Sequence, residues 1–206
     1  MQFNLNDTKG KRGIMELGFE TGATATLEKA YDRLTELVHD LGPADLGKAT
    51  PCAELDVRGV LSHTLAAAQM FTDVKEGHPV GDRLGDLLGQ ADPASALDRV
   101  HRANTAAWAA SGAMQGETVL PFGTFPSAAA YLINLGEIAV HGWDIAVGTG
   151  RQATIDEELA TAVLGFYERA PMERLRGRGA FGPAVEVPPG SSAQDRLLGL
   201  LGRQPR

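Results

Sequence analysis

One apolar stretch of the chain, from Pro126 to Val147, carries three ionisable side chains: Glu137, His141 and Asp144. They stand at i, i+4 and i+7. At ~100° per residue these positions fall within about 60° of one another on a helical wheel, so a helix here bears a single polar stripe on an otherwise apolar rod. A buried carboxylate without a partner costs several kcal/mol, so the stripe requires pairing, a metal ion or solvent. A Glu and a His one turn apart can hold the same ion from one face, with a third ligand supplied by another helix. On spacing alone, a metal ion and a buried ion pair account for Glu137 and His141 equally well.

The best third donor is His63, mid-way along an amphipathic segment and near the line of Val60, Ala67, Met70 and Val74, which should turn it inward. Taken by itself, His63 would be a satisfied core histidine. His39, His78 and His101 sit on polar or loop segments and are poorer candidates. Asp144 has three available roles: an acceptor behind a ligand, a substrate contact, or a structural acid near the helix end, the last being preferred. Cys52 follows a proline in a loop, from which it could approach a metal or a thiol. A lone Cys is usually a small buried hydrophobe, and it is left out of the ligand set. Trp108 and Trp143 are expected in the core. Pro121-Phe122-Gly123 either lines a pocket above the ion or forms an ordinary turn.

The elements that must position these residues are helices. Leucine and alanine are abundant, aromatics are few and β-branched runs are sparse. Periodicity predicts helices over about Ala23–Leu41, from an Asp56 N-cap to Glu76, over Pro93–Ala113 behind Asp92, from Pro126 to Val147, over Asp156–Arg169, and a short one over Ala193–Leu201. The segment Val119–Phe125 must be extended or turned. Residues 1–22 read as a flexible polar leader, and 23–206 as one all-α domain, a four-helix bundle with additional C-terminal helices.

With 206 residues the chain can bury a full core. A formal net charge of −7 and a pI near 5.2 argue against nucleic acid as a partner. The arginines between Arg169 and Arg206 read as a solvated surface. No window supplies the roughly 20 apolar residues of a membrane span. A single cysteine and no visible secretory signal point to the cytoplasm.

Thr50-Pro51-Cys52, Asp56-Val57-Arg58 and Leu61-Ser62-His63, followed by Glu137 through His141-Gly142-Trp143-Asp144, resemble the mycothiol-dependent maleylpyruvate isomerase family of the DinB-like superfamily. Leu55 stands where many relatives have Trp. The ending from Gln194 to Pro205 resembles the tail of one actinobacterial subfamily. The resemblance implies a DinB-like four-helix bundle in which His63, Glu137 and His141 bind a divalent ion, zinc by ligand chemistry with nickel as the alternative. It also implies mycothiol as cosubstrate. The function expected is a metal-dependent thiol S-transferase or isomerase, with the thiol activated at an open metal position; the alternative is a non-catalytic metal- or ligand-binding bundle. The expected partners are a small-molecule thiol and an electrophile, with a homodimer compatible with the sequence.

Overall fold

The computed structural model describes residues 19–52, 54–80, 86–89 and 91–205. Four long helices form the bundle: α1 (Phe19–His39), α2 (Val57–Glu76), α3 (Pro93–Ala109) and α4 (Ser127–Gly148). A hairpin of β1 (Glu117–Leu120) and β2 (Gly123–Pro126) precedes α4. The helices α5 (Glu157–Tyr167), α6 (Met172–Arg176) and α7 (Ala193–Leu200) follow it. Of the expected leader, residues 1–18 lie outside the described residues, and α1 already begins at Phe19, four positions ahead of the expected start. The third helix stops at Ala109 instead of Ala113, because Ala110 leaves helical geometry at ψ 141° and a turn leads on to the hairpin.

Local chemistry sets the helix starts. The Asp56 side chain accepts from Gly59 N at 2.7 Å, Asp92 from Ser95 N with Pro93 in the first turn, Asp156 from Leu159 N and Ser192 from Asp195 N. Each such cap satisfies a backbone N–H that the helix itself leaves orphaned. In the bundle α1 and α2 each pack against both α3 and α4, so the second helix lies beside the fourth. α4 is buried almost all round, from Ala129 to Val147, which explains its near-continuous apolar sequence. Both tryptophans are in the core.

The Val119–Phe125 segment is an antiparallel hairpin, with Thr118 opposite Phe125 and Leu120 opposite Gly123. Lys75, in the last turn of α2, reaches the start of it: Nζ donates to Thr118 Oγ1 at 3.4 Å and to Ala113 O at 2.5 Å, and sits 4.9 Å from the ring centre of Trp108. Beyond the bundle, α5 packs on α4 and α7 on α5. Gly136 permits the first contact, since a Cβ there would meet Val163 Cγ1 at 3.2 Å and Tyr167 Cε2 at 3.4 Å. No helix among the described residues is long and apolar enough to cross a membrane.

Candidate functional site

Because α2 lies beside α4, His63 reaches across to the polar stripe. Its Nε2 is 3.3 Å from Glu137 Oε2, and His141 Nε2 is 3.3 Å from the same oxygen. The two imidazoles stand edge to face, with ring centres 5.1 Å apart. One ligand atom from each of His63, Glu137 and His141 falls within 4.8 Å of the others. Glu137 Oε2 is buried, yet no donor meets it with hydrogen-bond geometry. A tetrahedral ion with N and O ligands at about 2.0–2.1 Å spaces neighbouring ligand atoms by about 3.3–3.4 Å, so the donor set and its spacing suit a zinc-like cation.

Charge is concentrated here in a way that burial alone would forbid. Burial pushes the Glu137 carboxyl up, but the imidazoles of His141 and His63 outweigh it and hold the group well below the usual carboxylate range. Burial pushes the His141 imidazolium down, and contacts to Asp144 and Glu137 more than reverse this, raising it to about 9. Asp144 has a fully buried side chain, and its Oδ2 lies 3.0 Å from His141 Nδ1. Arg203 clasps the same carboxylate, Nη2 to Oδ2 at 2.9 Å and Nε to Oδ1 at 3.3 Å, while its Nη1 donates to Leu201 O. Burial pushes the Asp144 carboxyl up, and His141 and Arg203 together outweigh that and lower it. With Nδ1 engaged by Asp144, the Nε2 of His141 faces Glu137, the arrangement by which a carboxylate behind a histidine orients it toward a cation.

The sequence profile of the family described as Mycothiol maleylpyruvate isomerase N-terminal domain matches residues 27–146, more than half of the chain. The chain belongs to this family. A solved structure titled as the mycothiol-dependent maleylpyruvate isomerase superposes with a TM-score of 0.60 at 15% identity, over 84% of this chain and 77% of that one, and so shares the fold. A Mycobacterium tuberculosis protein, uncharacterized protein MT0763 in strain CDC 1551 / Oshkosh and uncharacterized protein Rv0738 in strain H37Rv, is 25% identical over 184 residues, which cover 87% of this chain and 96% of the relative.

In this member of the family the triad opens into a cavity of about 1010 Å³, walled by the hairpin, α4, α5 and the segment around α6. His63, expected to turn inward, has a side chain 44% exposed because it borders this cavity. Cys52 is half-buried in the cavity wall, with a ligand-type atom within 4.8 Å of His141 and Asp144. Burial pushes its thiol up, against the pull of the Arg203 charge. Phe122 lines the cavity from the hairpin turn. His101 lies outside the site, stacked on Tyr31 and 2.6 Å from Glu28 Oε2.

Of the three roles open to Asp144, the geometry sets its carboxylate against His141 Nδ1 and Arg203. One expectation is corrected. The arginines after Arg169 are not all a solvated surface: Arg203 is only 9% exposed, since Gly202, at φ 82° and too close to Gly182 for a Cβ, turns the chain back beneath α7. Sequence periodicity carried no sign of the Arg203 contact, which spans 59 positions. The one available hint was a charged residue directly after an apolar helix and a glycine.

Proposed function

We propose that the chain is a metal-dependent S-transferase or isomerase that works with a low-molecular-weight thiol of the mycothiol type, in the cytoplasm. The observation that carries this reading is a buried carboxylate oxygen, without a hydrogen-bond donor, 3.3 Å from two imidazole nitrogens at the floor of a large cavity. His63, Glu137 and His141 would hold a zinc-like divalent ion through two neutral nitrogens and one carboxylate, which leaves a position for a substrate. When bound, such an ion supplies Lewis acidity that lowers the pKa of a thiol or water beside it.

The chain's own residues do the rest. Asp144 accepts a hydrogen bond from His141 Nδ1–H, fixing the tautomer in which Nε2 offers its lone pair, and Arg203 holds Asp144 in place. The apolar wall formed by Ile133, Val140, Phe166 and Leu201 keeps bulk water from competing with a thiol for the triad. Cys52, its thiol pushed up by burial, stays protonated at neutral pH and is a poor nucleophile. The reacting sulfur is therefore that of a cosubstrate. Membership of the family and the shared fold with a mycothiol-dependent isomerase support the choice of thiol.

The test combines elemental analysis with a thiol-conjugation assay against a panel of electrophiles, run with mycothiol, with cysteine and without thiol. The expected result is near-stoichiometric divalent metal and turnover only when both metal and thiol are present. Metal without turnover across the panel would leave a non-catalytic binding bundle. Absence of metal after refolding with excess zinc would overturn the reading altogether.

A further inference from the structure

A buried phenol hydroxyl normally finds a hydrogen-bond partner. Tyr31 obeys this, donating to Asn104 Oδ1 at 3.1 Å, but Tyr167, the last residue of α5, is only 5% exposed and its hydroxyl bonds to no described residue. Nor is that hydroxyl sealed in the core, as the unpartnered Thr105 Oγ1 and Trp108 Nε1 are: Tyr167 lines the cavity above Glu137. Arg203, the other buried donor in that lining, has Nε and Nη2 on Asp144 and Nη1 on Leu201 O. Tyr167 is therefore the spare donor of the cavity floor.

Packing fixes where that donor stands. The Tyr167 ring meets Phe166 and Phe181 edge to face, with ring centres 5.0 Å and 5.5 Å away. Its third neighbour is the backbone of α4: a Cβ on Gly136 would meet Tyr167 Cε2 at 3.4 Å and Oη at 3.6 Å, so the missing side chain gives the phenol its place. The hydroxyl thus lies beside the residue that precedes Glu137. It is close enough for that carboxylate to act on it: burial first, and the Glu137 charge second, push the phenol well above its ordinary range. Tyr167 keeps its proton at neutral pH and can donate it to a hydrogen bond.

Taking the cavity as the thiol site of the reading above, we propose that the Tyr167 hydroxyl is the hydrogen-bond donor to the sulfur of the bound thiol. A thiolate sulfur is an acceptor only, and a hydrogen bond to a charged acceptor is worth more than a neutral one. Apolar surroundings strengthen it further, and here Phe166 and Phe181 enclose the donor. Because ring packing rather than a hydrogen bond orients the phenol, the donor needs no reorganisation when the sulfur arrives. The competing acceptor is an oxygen of the electrophile. The sulfur is favoured because the hydroxyl stands beside α4 next to Glu137, on the floor with the triad, and not in the hairpin turn with Phe122.

Carbon-13 NMR of the zinc-loaded full chain, labelled at the tyrosine ring Cζ, tests this. The chain has three tyrosines, so Tyr31→Phe, Tyr131→Phe and Tyr167→Phe assign the signals. Mycothiol is expected to move the Tyr167 signal alone, toward its tyrosinate position. The S-methyl thioether of mycothiol, which fills nearly the same space without an anionic sulfur, should leave that signal in place. In calorimetry Tyr167→Phe should bind mycothiol about tenfold more weakly than wild type and the thioether equally well. If Tyr167→Phe does not fold, the wild-type signals decide alone, with Tyr167 assigned by elimination. A Tyr167 signal that ignores mycothiol, that responds equally to the thioether, or that moves only once an electrophile is added overturns the contact, as does an unchanged mycothiol affinity in Tyr167→Phe. Mycothiol binding that persists in those results leaves the thiol site standing, whereas a wild type that binds no mycothiol sinks both. A Tyr167 response without turnover sinks the transferase and leaves the contact.

Discussion

Two polar clusters lie one helical turn apart on α4, and they are built on opposite principles. Around Asn104 everything is neutral and the hub is saturated. Its Nδ2 donates to Ala68 O at 2.9 Å and Thr72 Oγ1 at 3.2 Å, and its Oδ1 accepts from Tyr31 Oη at 3.1 Å and Asn134 Nδ2 at 2.9 Å. That is the full capacity of an amide side chain. Around Glu137 the groups are charged and the central oxygen lacks a donor, although a cavity adjoins it. The first cluster ties α1, α2, α3 and α4 together; the second keeps an open valence. A bundle can carry both because each is laid on a different side contact of the same central helix, α3 for Asn134 and α2 for Glu137.

The sharpest way to break this comparison is to remove a residue from each cluster and measure metal and stability together. Glu137→Ala or His141→Ala is expected to abolish retained metal while the chelated fold keeps its helical circular dichroism. Full metal retention in the double variant would end the assignment. Asn104→Ala should do the opposite. It strands the hydroxyls of Tyr31 and Thr72 and the Asn134 amide, at a cost of about 2–4 kcal/mol in denaturant unfolding, with metal content per folded molecule unchanged.

Smaller effects sharpen the picture. Asp144→Asn removes the charge behind His141 and is expected to weaken metal affinity about 10- to 100-fold in competition with a chelator. An unchanged affinity would mean that Asp144 serves only Arg203. In chelated protein, His141 has a pKa raised from 6.5 to about 9, so its contribution to stability is complete below pH 6.5 and is lost as pH rises through about 9. The melting temperature of the chelated wild type should therefore fall across that window, by roughly 2–4 °C per kcal/mol lost, and that of His141→Ala should not. Parallel curves for the two would show that the imidazolium does not stabilise the metal-free fold.

Particular residues show what kind of information was legible from the chain. Caps at Asp56 and Asp92 are readable because a side chain three positions ahead of an orphaned N–H is a local event. The hairpin was read only as extended or turned, since Pro121 and Gly123 exclude helix without naming a partner strand. The break after Ala109 escapes a reading of the sequence because alanine-rich sequence favours continuing the helix, whereas Ala110 is extended and the turn beyond it meets Lys75 Nζ through Ala113 O.

By itself the sequence determined the all-helical class, the central burial of α4 and the stripe of Glu137, His141 and Asp144, because helical periodicity places residues on a face without reference to anything else in the molecule. Tertiary structure alone decided that His63 stands 3.3 Å from Glu137 and that Asp144 lies against His141 and is clasped by Arg203. Those distances depend on which helices become neighbours and how closely they pack. That outcome is set by side-chain volumes, such as the missing Cβ of Gly136, summed over the whole core, and no local pattern encodes it.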